Sequence, residues 1–156
     1  MYVNITVKQL LNKKGHHVWS IKPDTYVLDA LKMMAEKNIG AVLVMDSELP
    51  IGIFSERDYA REVKLNSLSE ESTTVQMVMT DNVILVRPDQ TIDECMALMT
   101  GKHIRHLPVI QDKQVIGIVS IGDVVKEIIS EQEFIIEQLE NYITGDTTRP
   151  AIPEGG

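Results

Sequence analysis

The chain has 156 residues, 44% hydrophobic and 24% charged, which is the balance of a folded domain and not of a disordered chain, and its single cysteine, Cys95, excludes an intramolecular disulfide and a cysteine-based zinc site. The net charge is −8, of which residues 127–156 carry −6, and with only 4% aromatic residues the chain lacks both the positive field and the stacking platforms that bind nucleic acids. The longest apolar run, Ile39 to Met45, is too short to span a bilayer and the N-terminus lacks a signal-peptide pattern, so a cytoplasmic protein with no membrane partner is expected, the lone cysteine fitting a reducing interior.

Residues 4–14 read as a short helix, with Val7, Leu10 and Leu11 at helical spacing and Gly15 at its end. Val18 to Ile21 reads as a strand, Pro23-Asp24 as a turn, and Val27, Leu28, Leu31, Met34 and Ala35 as the apolar face of a helix. Ala41 to Met45 and Ile51 to Phe54 are expected strands about the polar turn Asp46-Ser47-Glu48, and a second helix opens at Ser55. Residues 66–76 are polar linker, and Val75 to Met79 a short helical turn. The series then begins again. Val83 to Val86 is a strand, Pro88-Asp89 a turn, and Ile92, Cys95, Met96 and Met99 mark a helix. Leu107 to Ile110 and Val115 to Val119 are strands about Gln111-Asp112-Lys113, and a helix opens at Ser120. It runs on from Asp123 past Tyr142. Its apolar stripe (Val125, Ile128, Ile129, Ile136, Leu139, Ile143) lies among glutamates and suits a partner chain or the protein's own body. Residues 145–156, rich in Gly, Pro and Thr, are expected to fray.

The recurrence is a duplication. Shifted by 65 residues, the chain aligns with itself without a gap and gives 11 identities between residues 23 and 58, among them Pro23-Asp24 on Pro88-Asp89, Ile51-Gly52-Ile53 on Ile116-Gly117-Ile118, Ser55 on Ser120 and Asp58 on Asp123. Each copy has the order β-α-β-β-α. A sheet that small cannot bury both faces alone, so the two copies are expected to pack face to face over one shared core.

The sharpest repeated string is Gly52-Ile53-Phe54-Ser55-Glu56-Arg57-Asp58, matched by Gly117-Ile118-Val119-Ser120-Ile121-Gly122-Asp123. Ser-x-x-Asp at a helix start is a capping box, which by itself accounts for both residues. The same geometry can also hold a ligand. A strand that runs into a helix N-terminus presents free N–H groups to a phosphate, with the serine hydroxyl as an extra donor. An aspartate one turn on can accept ribose hydroxyls, and the glycine permits close approach of a ligand or strand. His103 and His106 have no third ligand nearby in sequence for a metal. His16 and His17 read as exposed turn residues, Cys95 as a packed core thiol, and Lys22 and Arg87 as solvated or as phosphate-neutralising. No nucleophile elbow, P-loop, His-Glu-x-x-His or Gly-x-Gly-x-x-Gly is present, so no enzyme is expected.

With its ungapped duplication, its paired Gly-Ile-x-Ser-x-x-Asp strings and the segment His103-Ile104-Arg105-His106-Leu107-Pro108-Val109, the chain resembles a stand-alone tandem cystathionine-β-synthase (CBS) domain pair, or Bateman module, over residues 3–130. The resemblance implies disc-shaped homodimers and adenine nucleotides (AMP, ADP, ATP, NAD(H) or S-adenosylmethionine) bound in clefts between the copies. It implies ribose contacts from Asp58 and Asp123, and phosphate-side hydroxyls from Ser55 and Ser120, where threonine is commoner. Arg105 and His106, with Pro108 in the same segment, match the strand start that meets phosphate or adenine. Their counterparts Gly40 and Ala41 carry no charge, so the two clefts cannot be equivalent; Arg57, opposite Gly122 in the repeat, can supply a cation instead. Trp19-Ser20-Ile21 and Asn82-Val83 are implied adenine contacts through backbone and apolar atoms, with Lys22 beside the first as a nucleotide-binding candidate on the phosphate side.

The expected fold class is therefore α+β: two CBS repeats related by a pseudo-two-fold axis, plus a C-terminal helical extension. The expected divisions are repeat 1 with the N-terminal helix at 3–65, a linker at 66–74, repeat 2 at 75–130, and an amphipathic helix and tail at 131–156. The expected function is adenine-nucleotide sensing passed to an effector protein in trans. The alternative is a structural dimerisation or adaptor module without a functional ligand.

Overall fold

The computed structural model describes residues 5–144; the expected frayed tail, 145–156, lies outside the described residues. Thr6 opens helix α1 (Val7–Lys14) with a reciprocal cap: its hydroxyl accepts the Gln9 N–H at 3.2 Å, and the Gln9 side-chain oxygen accepts the Thr6 N–H at 2.9 Å. Gly15, at φ 104°, ends it in a conformation that other residues reach only with strain.

The first repeat follows as β1 (Ser20–Ile21), α2 (Val27–Lys37), β2 (Ala41–Asp46), β3 (Leu49–Ser55) and α3 (Glu56–Asp58). α3 widens at once into a π-helical stretch, Tyr59–Lys64, in which the Leu65 N–H reaches back five residues to the Ala60 carbonyl. A short helix, α4 (Val75–Val78), leads to the second repeat: α5 (Ile92–Lys102), β4 (His106–Gln111), β5 (Gln114–Ser120) and α6 (Ile121–Thr144). β2 and β3 pair antiparallel with β1 parallel beside β2, while β4 and β5 form a second antiparallel pair. The fold is the expected α+β duplication with a C-terminal helix.

Three expectations need correction. The first strand of the second copy, Val83 to Val86, reduces to one parallel bridge between Val86 and Val109. In the first copy the Leu43 N–H donates to the Trp19 carbonyl at 3.1 Å. The counterpart of Leu43 is Pro108, which has no N–H, so the matching rung cannot form.

The buried side chains also make two cores instead of one. Val27, Ala30, Met34, Val42, Val44, Phe54 and Val63 gather with Val75 and Val78 of α4, whereas Val86, Ile92, Cys95, Met99, Leu107, Val109 and Val119 gather with Val7, Leu10 and Leu11 of α1. The helix preceding each repeat thus packs into the core of the other. Backbone bonds confirm the exchange: Val75 N–H to Thr25 O at 2.8 Å in the first, and Val7 N–H to Gln90 O at 2.8 Å in the second.

The third correction concerns the paired glycines: side chains fill the space against them, Met79 directly after α4 and Leu11 of α1, in place of the expected ligand or strand. A Cβ on Gly52 would run into Met79 Sδ and lie 2.9 Å from its Cγ, and one on Gly117 would lie 2.7 Å from a Leu11 methyl. Gly52→Val is therefore expected to lower stability by about 1–3 kcal/mol through overpacking, read as a lower urea midpoint at unchanged slope.

Candidate functional site

β3 ends where Ser55 turns the chain into α3, and the turn is closed by two side chains. Ser55 Oγ accepts the Asp58 N–H at 3.1 Å, and Asp58 Oδ2 accepts the Ser55 N–H and hydroxyl, each at 2.9 Å. Asp58 Oδ1 accepts the Thr80 hydroxyl at 2.8 Å. The second copy repeats the box: Ser120 Oγ accepts the Asp123 N–H at 3.2 Å, and Asp123 Oδ2 accepts the Ser120 N–H at 2.9 Å. Each carboxylate oxygen offers two lone-pair sites, so Asp58 keeps acceptor capacity beyond its cap.

A cleft of about 560 Å³ opens in front of this turn, within the range of small-molecule sites. Gly40, Ser55, Arg57 and Asp58 of the first repeat line one side, and Arg105 and His106 at the start of β4 line the other. Seven residues expected as ligand contacts, these six and Asn82, thus meet there, although 47 positions separate Asp58 from Arg105 in the chain. Sequence reasoning missed Arg61 and Glu62, which the π-helical stretch brings to the wall, and Thr80, which follows α4. The i, i+4 spacing of Arg57 and Arg61 was the available signal.

The other expected residues lie off this wall. Ser20 and Ile21 form β1, and Lys22 follows it, exposed. Ala41 pairs with Ser55 at the start of β2, Val83 is half-buried, and Pro108 is buried in the middle of β4. Ser120 and Asp123 stand at the pseudo-symmetric turn, where the environment differs. Lys14 Nζ lies 2.5 Å from Asp123 Oδ2 and donates to the Ile118 carbonyl at 2.8 Å, while the neighbouring Lys13 lies 3.2 Å from Glu127. Burial pushes the Asp123 carboxyl up, but the Lys14 ammonium and the Ser120 donors outweigh it, and its pKa falls below the ordinary 3.8. One repeat thus presents its capping aspartate to an open cleft; the other holds its aspartate in an ion pair with α1.

His106 feels both aspartates. Burial dominates and holds its pKa below 6.5; Asp123 and Asp58 pull it up, and Lys14 and Arg105 push it down. The folded state therefore disfavours the imidazolium. This contribution to stability is complete above the unfolded value of 6.5 and is lost as pH falls from there through the lower folded pKa. The ligand-free protein is expected to lose stability on acidification in this window, and His106→Gln to flatten the loss, as measured by urea midpoints from neutral to mildly acidic buffer.

The remaining candidates have structural partners. Cys95 is buried, and burial with the nearby Glu94 charge pushes its thiol up to about 11, which leaves it unreactive at neutral pH. His16 hydrogen-bonds the Ile116 carbonyl and Asn12, each at 3.3 Å. His17 stacks on Trp19 at 6.0 Å, and Lys37 Nζ lies 4.4 Å from the Trp19 ring centre. Arg87 pairs with Asp89 at 3.3 Å on the surface. Among the described residues no three His, Cys, Asp or Glu side chains gather as a metal site, and no helix is long and apolar enough to cross a membrane.

The family model described as "CBS domain" matches residues 7–65 and 75–130. The chain is 37% identical over 154 residues to the CBS domain-containing protein CBSX3, mitochondrial, of Arabidopsis thaliana, covering 92% of this chain and 74% of that protein. It is also similar to a solved putative signal-transduction protein with CBS domains from Burkholderia ambifaria, with 47% identity, a TM-score of 0.77, and coverage of 81% of this chain and 96% of that one. A CBS domain pair solved in complex with 5-methylthioadenosine and S-adenosyl-L-methionine shares the fold at 24% identity and a TM-score of 0.72, covering 83% of this chain and 99% of that one. The duplicated β-α-β-β-α unit, its paired serine–aspartate turns and these matches agree: the chain belongs to the CBS domain family, as a tandem pair.

Proposed function

We propose that this protein is a regulatory module that binds an adenine nucleotide in the cleft between its repeats and signals its occupancy to an effector protein in trans. The observation that carries this reading is the convergence of Asp58 and Ser55 from one repeat with Arg105 and His106 from the other on one cleft. A ribose donates a hydroxyl to the lone pair left on Asp58 Oδ1. A phosphate accepts from the Arg105 guanidinium, and from the Ser55 hydroxyl when it turns from Asp58 Oδ2 to the ligand. A ligand so held touches both repeats and favours whichever arrangement of them closes on it. The ligand is regulatory, not a catalytic cofactor, and is drawn from AMP, ADP, ATP and NAD(H). The solved relative carrying S-adenosyl-L-methionine supports an adenosine-containing ligand. A homodimer in a cytoplasmic or comparably reducing setting, with repeats at 3–65 and 75–130, a linker at 66–74 and an extension at 131–156, completes the proposal.

The test is a thermal shift on ligand-free protein with adenosine, AMP, ADP, ATP, NAD(H), S-adenosylmethionine and GTP. At 100 times its Kd a ligand adds about 2.7 kcal/mol, so at least one adenine compound is expected to raise the midpoint well above GTP. No shift from any adenine compound overturns the reading. The Lys14–Asp123 pair adds a stoichiometric expectation. One equivalent binds per wild-type chain, and Lys14→Met frees Asp123 and admits a second, as titration calorimetry reads.

A second reading rests on α6. Ile129, Phe134, Ile136, Leu139, Tyr142 and Ile143 are exposed along it, beyond what a solvated helix needs. If these residues alone carry the function, the protein is a dimerisation or adaptor unit. Shortening the chain after residue 130 then changes its mass in solution, while no nucleotide affects either form.

A further inference from the structure

Three guanidinium groups line the cleft, beside the three carboxylates of Glu56, Asp58 and Glu62. Arg57 and Arg61 stand on one side, on α3 and the π-helical stretch, and Arg105 faces them from the start of β4. Among the described residues, none of the three guanidinium groups takes part in an ion pair or a side-chain hydrogen bond. The carboxylates on the same wall make no ion pair with these guanidiniums. Asp58 closes the cap, and Glu56 turns towards Gly40, its Oε1 3.8 Å from where a Cβ would stand. Glu62 remains on the wall beside Arg61, with no ion pair between them.

Three unpaired guanidiniums around one cavity, each a planar fork of donors, match successive phosphates better than a single one. The π-helical widening contributes directly, because it is the segment that carries Arg61 to the wall. S-adenosylmethionine offers these forks one carboxylate and a sulfonium cation, and no phosphate. Resting on the nucleotide-binding reading above, we infer that this cleft selects adenosine polyphosphates, ADP or ATP, over AMP and S-adenosylmethionine, and that Arg61 is the residue that reads the phosphates beyond the first.

The test is titration calorimetry of the full chain in magnesium-free buffer with adenosine, AMP, ADP, ATP and S-adenosylmethionine, repeated on Arg61→Gln. ADP or ATP is expected to bind at least tenfold more tightly than AMP. A charge-assisted hydrogen bond contributes about 1.5–3 kcal/mol, so Arg61→Gln is expected to weaken the polyphosphate roughly tenfold or more and to leave AMP within about threefold. AMP or S-adenosylmethionine binding as tightly as ADP and ATP overturns the selectivity while leaving the nucleotide reading intact. Equal losses for AMP and ATP in Arg61→Gln overturn the role of Arg61. Failure of every compound, adenosine included, removes both. Circular dichroism of the variant separates lost contacts from lost folding.

Discussion

Replacing Asp58 by alanine is expected to abolish the ligand-induced rise in unfolding midpoint, a loss of about 2.7 kcal/mol at 100 times the wild-type Kd. The same variant also loses its capping box. That costs roughly 1 kcal/mol whether or not ligand is present. The two effects separate cleanly, because the cap shifts the ligand-free baseline and the ribose contact shifts only the difference between free and bound. Asp58→Asn sharpens the distinction: its amide oxygen can still accept the Ser55 N–H, but its charge and one acceptor are gone. Asp123→Ala is expected to lose its cap and its Lys14 ion pair while keeping most of the ligand effect, since Asp123 lies off the open cleft. Fluorimetry with and without nucleotide measures all three variants.

Phe54→Ala is expected to produce the largest loss of stability by a single substitution, about 3–5 kcal/mol. Phe54 is fully buried in the first core, pairs with Val42 across the sheet, and immediately precedes Ser55. Its ring holds the end of β3 in place, and the capping turn hangs from that end. Typical domains are stable by about 5–15 kcal/mol, so the loss takes a large share of the total. The repeat partner Val119 is smaller and equally buried, and Val119→Ala is expected to cost less, because fewer buried groups are removed. Urea unfolding followed by circular dichroism gives both values.

The duplication was legible because two copies of one unit leave a constant offset, and because Ser55-x-x-Asp58 and Ser120-x-x-Asp123 state their own local chemistry. Both capping boxes formed as the spacing required. What stayed hidden depended on partners distant in sequence. The apolar spacing of Val7, Leu10 and Leu11 says that α1 buries a face, but not that the face belongs to the second core. The Lys14–Asp123 pair spans 109 positions, and nothing local to either residue announces it. The missing rung at Pro108 could have been read, since a proline opposite a strand predicts a lost donor, yet the apolar run Val83 to Val86 argued the other way. The glycines announce a close approach, of a ligand or a strand, without saying what makes it. Their neighbours, Leu11 of α1 and Met79 directly after α4, arrive by a docking that the sequence does not encode locally.

The central claim is that a nucleotide sits between the repeats against Asp58. The most direct measurement is a titration of isotope-labelled protein with the nucleotide that stabilises it most, followed by backbone amide chemical shifts. The account predicts the largest changes at Ser55 to Arg61, Thr80 to Asn82, and Arg105 to His106, from both repeats at once. Changes confined to another surface, such as the cavity beside Arg87 and Lys113, or amides that do not move at all, would contradict it.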